Sequence, residues 1–179
     1  MAGLYEREDD SGHHFLVELE APAGGPDGFG YPGRVTVGVT FPYEERAVYL
    51  DVQWFDKPAC RLPEALWLTF APDAPDAEGW TLEKMGRRIS PLEGVRGGNR
   101  KLHAVGGRVE YGDDRGGLLL ETLDAPLVAP GVPSLLDFND RQPPLLQGMH
   151  FNLYNNVWGT NFAMWCDDDA RFRFVLRVL

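Results

Sequence analysis

The feature that most constrains the fold is a series of short segments in which apolar and polar residues alternate, separated by turns rich in glycine and proline. Apolar side chains occupy every second position of residues 35–41 and again of residues 48–54. A period of two is that of a β-strand with one buried face. The turn at residues 42–46 therefore predicts a β-hairpin between the two segments.

The same pattern recurs along the chain, and no stretch has a sustained helical period. Residues 63–70 are ambiguous, because Pro63 followed by Glu, Ala and Leu resembles a helix start. Trp67, Thr69 and Phe70 favour a strand instead, and we predict one. Further strands are predicted at residues 14–20, 80–85, 101–105, 109–111, 118–123, 150–154 and 171–178.

Gly106 and Gly107 predict a further hairpin, between the segments on either side of them. Short strands with glycine-rich turns indicate an all-β fold, and a chain of 179 residues is long enough for an antiparallel β-sandwich with little helix. We expect one domain over residues 1–179. Residues 1–12 are polar and acidic, and we expect them to form an exposed, flexible lead-in.

Net charge and cysteine content exclude several classes of partner. The formal net charge of −10 argues against nucleic acid and anionic membranes, whose phosphates would repel the chain. The chain has no apolar run of membrane-spanning length and no signal-peptide pattern, which predicts a cytoplasmic protein. Cys60 and Cys166 have no metal-binding spacing, and we expect both to be free thiols.

Residues 150–165, HFNLYNNVWGTNFAMW, combine aromatic and amide side chains more densely than any other segment. Aromatic rings stack on the C–H faces of sugars and amides bond their hydroxyls, so His150, Asn155, Asn156, Trp158 and Asn161 are candidate sugar contacts. The alternative is a buried turn, in which the asparagines bond loop backbone and the aromatics fill the core.

Few residues suit catalysis, and the chain carries no self-contained catalytic motif. His103 and His150 would each need a carboxylate brought close by the fold, and a structural histidine is the alternative for His103. Glu64 suits either a sugar hydroxyl or an ion pair with Lys57 or Arg61. The consecutive acids at 167–169 suit calcium or a solvated turn, and the spacing of the histidines and cysteines favours no metal. We predict neither a metal nor a cofactor.

Four segments carry a resemblance to a known family: WFDKPACRLPEALWLTF (54–70), KLHAVGGRVEY (101–111), LETLDAPLVAPG (120–131) and HFNLYNNVWGTNFAMW (150–165). Together they resemble the C-terminal β-domain of glycoside hydrolase family 38-like, α-mannosidase-like bacterial proteins. The resemblance runs from about residue 35 onward and implies a galactose-mutarotase-like β-sandwich (a supersandwich). The family's metal-binding and nucleophilic residues lie in an N-terminal barrel that this chain does not contain, so no position here inherits them.

The resemblance implies a non-catalytic module that supports or extends the sugar site of a glycoside hydrolase. Its partners would be the N-terminal catalytic domain of the same protein and a carbohydrate. One alternative is a stand-alone mutarotase- or epimerase-like enzyme with a histidine–carboxylate pair in an open cleft. Another is a structural domain that docks or dimerises through an exposed apolar patch. The candidate substrate contacts are Glu64, His103, His150, Asn155, Asn156, Trp158 and Asn161.

Overall fold

The structure, a computed structural model, describes residues 2–21, 29–135, 137, 139–157 and 165–179. Thirteen strands are present among these residues, with single 3-10 turns at Ala77–Gly79 and Leu145–Gln147. The strands are β1 (Gly3–Asp9), β2 (Gly12–Glu20), β3 (Arg34–Pro42), β4 (Ala47–Phe55), β5 (Ala65–Phe70), β6 (Trp80–Lys84), β7 (Arg87–Ile89), β8 (His103–Ala104), β9 (Arg108–Asp113), β10 (Gly116–Thr122), β11 (Leu127–Pro130), β12 (Met149–Asn155) and β13 (Ala170–Val178).

The strands form two antiparallel sheets, which confirms the predicted all-β, sandwich-like fold. The larger sheet has nine strands in the order β1-β2-β3-β4-β13-β10-β9-β6-β7, and the smaller has four in the order β5-β12-β11-β8. The predicted β3–β4 hairpin is present, with Val37 opposite Val52 and Val39 opposite Leu50. The ambiguous segment at 63–70 contains a strand, β5, as predicted.

The sheets meet at a core of aromatic and aliphatic side chains. Phe174 of β13 lies with its ring centroid 5.2 Å from that of Phe151 of β12, and both are almost fully buried. Phe70 of β5 packs against both rings. Each buried phenylalanine stabilises the fold by about 1.5–3 kcal/mol through removal of apolar surface from water. This cluster joins the central strand of the large sheet to the middle of the small one.

Two predictions of local structure were wrong. Residues 4–9 are exposed as expected, but with Gly3 they form β1, because all seven residues pair with β2. The hairpin across Gly106 and Gly107 does not form: β8 pairs with β11 in the small sheet, whereas β9 pairs with β10 and β6 in the large one. The two glycines therefore carry the chain from one sheet to the other.

Among the described residues, no helix is long and apolar enough to cross a membrane.

Candidate functional site

The aromatic and amide segment begins in β12, which lies between β5 and β11 in the small sheet. The pairing of β12 with β5 shifts between Asn152 and Tyr154, so the strand is irregular there. Such a shift redirects the following side chains. Two of the candidate sugar contacts, Trp158 and Asn161, lie outside the described residues.

Glu64 forms an ion pair with Lys57, one of the two partners predicted for it. Lys57 Nζ lies 2.6 Å from Glu64 Oε1, and the Lys57 side chain is 1% exposed against 17% for Glu64. The same ammonium also lies 3.3 Å from the carbonyl of Pro58 and 3.4 Å from that of Cys166. A buried ammonium needs acceptors of this kind, so the carboxylate of Glu64 has a structural partner in place.

Asn156 connects the end of β12 to the loop before β5. Its Oδ1 accepts a hydrogen bond from the backbone N–H of Glu64 at 2.7 Å. Its Nδ2 donates to the carbonyls of Cys60 at 3.1 Å and Leu62 at 2.8 Å. With 4% exposure it is a buried amide that satisfies loop backbone, which is the alternative role predicted for it.

Asn155 has a similar but less buried environment. Its Nδ2 donates to Oδ1 of Asn152 at 2.6 Å, and its Oδ1 accepts from the N–H of Val157 at 3.3 Å. Asn152 in turn donates to the carbonyl of Tyr154. Asn155 and Asn156 thus lie together near Glu64, and all three bond within the protein.

Tyr154 completes this cluster. The ammonium of Lys57 lies 4.6 Å from the centre of the Tyr154 ring, and Trp54 meets the ring edge-on at 6.4 Å. Burial, with the nearby charge of Glu64, raises the pKa of Tyr154 to about 12. The phenol is therefore neutral at ordinary pH.

The two histidines predicted as sugar contacts lie apart from this cluster and from each other. His150 is 7% exposed, and its Nδ1 lies 2.8 Å from the hydroxyl of Thr69. His103 is also 7% exposed, with Nδ1 3.1 Å from Lys84 Nζ. In both rings Nε2 is buried and has no hydrogen-bond partner among the described residues.

The pKa of His103 lies below its ordinary value. Burial is the largest cause, and the positive charge of Lys84 acts in the same direction. The backbone carbonyl of Arg100 favours the protonated ring and opposes both, although it makes no hydrogen bond of good geometry with Nε2. The balance keeps the ring neutral.

Histidine–carboxylate pairs do occur, but on the open edge of the large sheet. His13 Nε2 lies 2.9 Å from Glu8, and His14 Nε2 lies 3.2 Å from Asp9. All four residues belong to β1 and β2. Among the described side chains, no group of three His, Cys, Asp or Glu residues is placed to hold a metal ion.

Among the candidate contacts, His103 lines a substantial groove. The groove has a volume of about 650 Å³ and lies between the β6–β7 hairpin and the loop that follows it. Sequence reasoning missed this groove and Lys84, because its lining, although confined to residues 82–103, comes together only where the loop after β7 folds against the β6–β7 hairpin. The sequence signal was an apolar residue beside a glycine in each of two turn segments, Met85 and Val95. The structure shows that both side chains are exposed.

The large sheet also presents an apolar surface. The sequence analysis gave an exposed apolar patch as one alternative but did not name its residues. β1–β3 make extensive contacts only with one another and with β4, and none of their side chains joins the main core. The register places one set of their apolar side chains on the same face as Leu50 and Val52. We call this set the apolar face of β1–β3: Leu4, Phe15, Val17, Leu19, Val35, Val37, Val39 and Phe41.

Comparison with known proteins identifies no relative. No protein-family model matches the chain, and neither does a curated protein or a solved structure.

Proposed function

We propose that this chain is a non-catalytic β-sandwich module of an α-mannosidase-like glycoside hydrolase. The module packs against the catalytic domain of that enzyme through the apolar face of β1–β3, and so supports the sugar site from outside the reacting centre. The observation that carries the proposal is the exposure of this face: Leu4 is 59% exposed, Phe41 45% and Leu19 39%. Contiguous exposed apolar patches larger than roughly a few hundred Å² are rare on monomers and mark binding surfaces.

The positions of the resembling segments support the same assignment. Residues 54–70 contain β5, residues 101–111 contain β8, residues 120–131 contain β11, and residues 150–165 contain nearly all of β12. These four strands make up the whole of the small sheet. The segments that resemble the α-mannosidase-like β-domain are therefore neighbours in space and contribute to one core.

The hydrogen bonds and the ion pair of the candidate contacts favour a non-catalytic module. Glu64, Asn155 and Asn156 bond within the protein, which suits holding a loop in place. The mutarotase alternative requires His103 or His150 beside a carboxylate in a cleft. Among the described residues neither ring bonds a carboxylate, since their partners are Lys84 and Thr69.

The charges around the apolar face favour a different partner over a second copy of the chain. The register places Glu6 and Glu8 on the same face as Leu4, so the outer rim of the surface is acidic. Two copies of this chain, each with a formal net charge of −10, would repel each other. A catalytic domain with basic residues around an apolar contact would instead be complementary.

The test is binding of this chain to the barrel and helical region of an α-mannosidase-like enzyme produced without its own β-domain. We expect a saturable one-to-one complex by isothermal titration calorimetry. Leu4→Asp and Phe41→Asp each place a charge in the contact and should weaken the complex by at least about tenfold. Leu146→Asp is the matched control, because Leu146 is 55% exposed but lies outside the face.

Two results would overturn the proposal. One is the absence of a complex with a wild-type chain that is folded by circular dichroism. The other is a concentration-dependent dimer that Phe41→Asp abolishes, which would assign the face to a second copy of this chain. Equal effects of Leu146→Asp and Phe41→Asp would likewise contradict the assigned surface.

A further inference from the structure

The groove beside His103 has the features of a binding site that the proposed packing role does not use. It lies at the β6–β7 end of the large sheet, whereas the apolar face of β1–β3 lies at the other end. Its volume of about 650 Å³ falls within the range of small-molecule sites.

The hydrogen bond between Lys84 and His103 fixes the proton on the imidazole. A charged lysine can only donate, so Lys84 Nζ donates to Nδ1 of His103 across 3.1 Å. A neutral ring whose Nδ1 accepts carries its proton on Nε2. That Nε2–H group is buried and not accessible from the groove, with the backbone carbonyl of Arg100 beside the ring.

Lys84 is incompletely satisfied. The residue is half-buried, and its ammonium has three N–H donors, of which His103 takes one. Lys84 forms no ion pair with any carboxylate in the part of the chain that the structure describes. The groove thus carries a positive charge with two further N–H donors, and the oxygens of a single carboxylate would accept from them.

The remaining walls of the groove are mainly apolar. Leu82 and Pro91 are buried at its floor and Ile89 is half-buried, while Met85 and Val95 are exposed at its rim. Met85 is fully exposed, and Val95 is 81% exposed. A ligand with an apolar body would cover these side chains and gain from removing their surface from water. A flexible methionine at the rim adapts to ligands of different shape.

We propose that this groove binds a small organic monocarboxylate with an apolar body. The carboxylate is bound by the ammonium of Lys84, which His103 holds in position by accepting a hydrogen bond at Nδ1. The apolar body lies along Leu82, Ile89 and Pro91. A single negative charge fits better than a dianion, because Glu93 also lines the groove and the whole chain is acidic.

The test is a titration of the full chain, labelled with ¹⁵N at histidine, with hexanoate. Long-range ¹H–¹⁵N spectra report the tautomer of His103 directly. We expect an Nε2–H tautomer in the free protein and a saturable shift of the His103 signals on addition of hexanoate. Hexanamide lacks the charge and acetate lacks the apolar body, so each should bind at least about tenfold more weakly.

Variants separate the assigned contacts from non-specific attraction. Lys84→Met removes the ammonium but keeps the length of the side chain, and we expect it to weaken hexanoate binding by at least about tenfold. Arg87→Gln is the matched control, since Arg87 also lines the groove but is exposed and does not contact His103. It should change the affinity by less than about twofold.

Three outcomes would overturn the proposal. They are no saturable shift of His103 with hexanoate, equal binding of hexanoate and hexanamide, and unchanged binding to a folded Lys84→Met variant. None of them bears on the apolar face of β1–β3, so the groove and the packing surface are tested separately.

Discussion

The ammonium of Lys57 lies 2.6 Å from the carboxylate of Glu64, and the lysine side chain is almost completely buried. Two backbone carbonyls complete the environment of the ammonium, so the charge is both paired and hydrogen-bonded. A buried ion pair of this kind adds little net stability compared with apolar residues, but it is costly to break on one side. The pair fixes the loop between β4 and β5.

Removing the carboxylate alone should therefore destabilise the protein strongly. For Glu64→Ala we expect the free energy of unfolding to fall by about 3 kcal/mol, because Lys57 remains buried without its partner. The double variant Lys57→Met with Glu64→Met should lose less than the single variant. Urea denaturation measures the free energy of unfolding of each variant. A double variant less stable than Glu64→Ala would contradict this account.

A matched surface pair provides the control. Arg88 and Glu110 lie 2.8 Å apart, but the Arg88 side chain is 70% exposed. Removing either member should change the free energy of unfolding by less than about 1 kcal/mol. A comparable loss at both pairs would show that burial of Lys57 is not the cause.

Asn156 should prove to be a structural amide rather than a sugar contact. Asn156→Asp replaces an Nδ2 donor with an acceptor that faces the carbonyls of Cys60 and Leu62, so we expect a loss of about 2–4 kcal/mol. Asn155→Asp affects a half-buried side chain and should cost less. Thermal unfolding measures the stability lost in each variant. Equal losses would contradict the expectation that the more buried amide costs more to replace.

The fold was largely predictable from sequence, and the exceptions have physical causes. Alternation identified β3, β4 and β13 because one face of each is apolar. β1 was missed because its side chains are charged and exposed, so only its pairing with β2 makes it a strand. The β8–β9 hairpin was wrongly predicted because adjacency along the chain does not determine which sheet a strand joins.

The candidate site was predictable only in part, for a related reason. The Glu64–Lys57 pair spans seven positions of the chain, and sequence reasoning proposed it. The hydroxyl of Thr69 meets His150 across 81 positions, and Lys84 meets His103 across 19. Contacts of that kind follow from strand pairing and sheet packing, which cannot be predicted from the pattern of a single sequence.

Gly148 should be intolerant of any side chain. It precedes β12 with φ of 93°, and a Cβ built there would lie 2.2 Å from the carbonyl oxygen of Phe70. Both the backbone angle and the clash oppose substitution, so Gly148→Ala should lose more than about 2 kcal/mol of unfolding free energy. Gly86, with φ of 78° and open space around its Cβ position, is the control, and Gly86→Ala should lose about 1 kcal/mol. Equal losses in urea denaturation would show that the contact with Phe70 is unimportant.

The low pKa of His103 makes stability depend on pH in a defined direction. The unfolded chain binds a proton at this histidine near its ordinary pKa of about 6.5, whereas the folded protein does so only at lower pH. As pH falls below about 6.5, the unfolded state binds more protons, so the free energy of unfolding decreases until the folded pKa is reached.

His103→Gln removes this titration while keeping a polar side chain. We therefore expect the wild-type protein to lose more stability than His103→Gln between pH 7.5 and pH 5.5, when both are measured by urea denaturation at each pH. The comparison uses the change with pH and not the absolute stability, because the substitution also alters packing. Lys84→Met should show an intermediate dependence, since it removes a charge that disfavours protonation of the ring but leaves the ring buried. A steeper loss in His103→Gln than in the wild type would mean that the folded protein binds the proton at this site more readily than the unfolded chain.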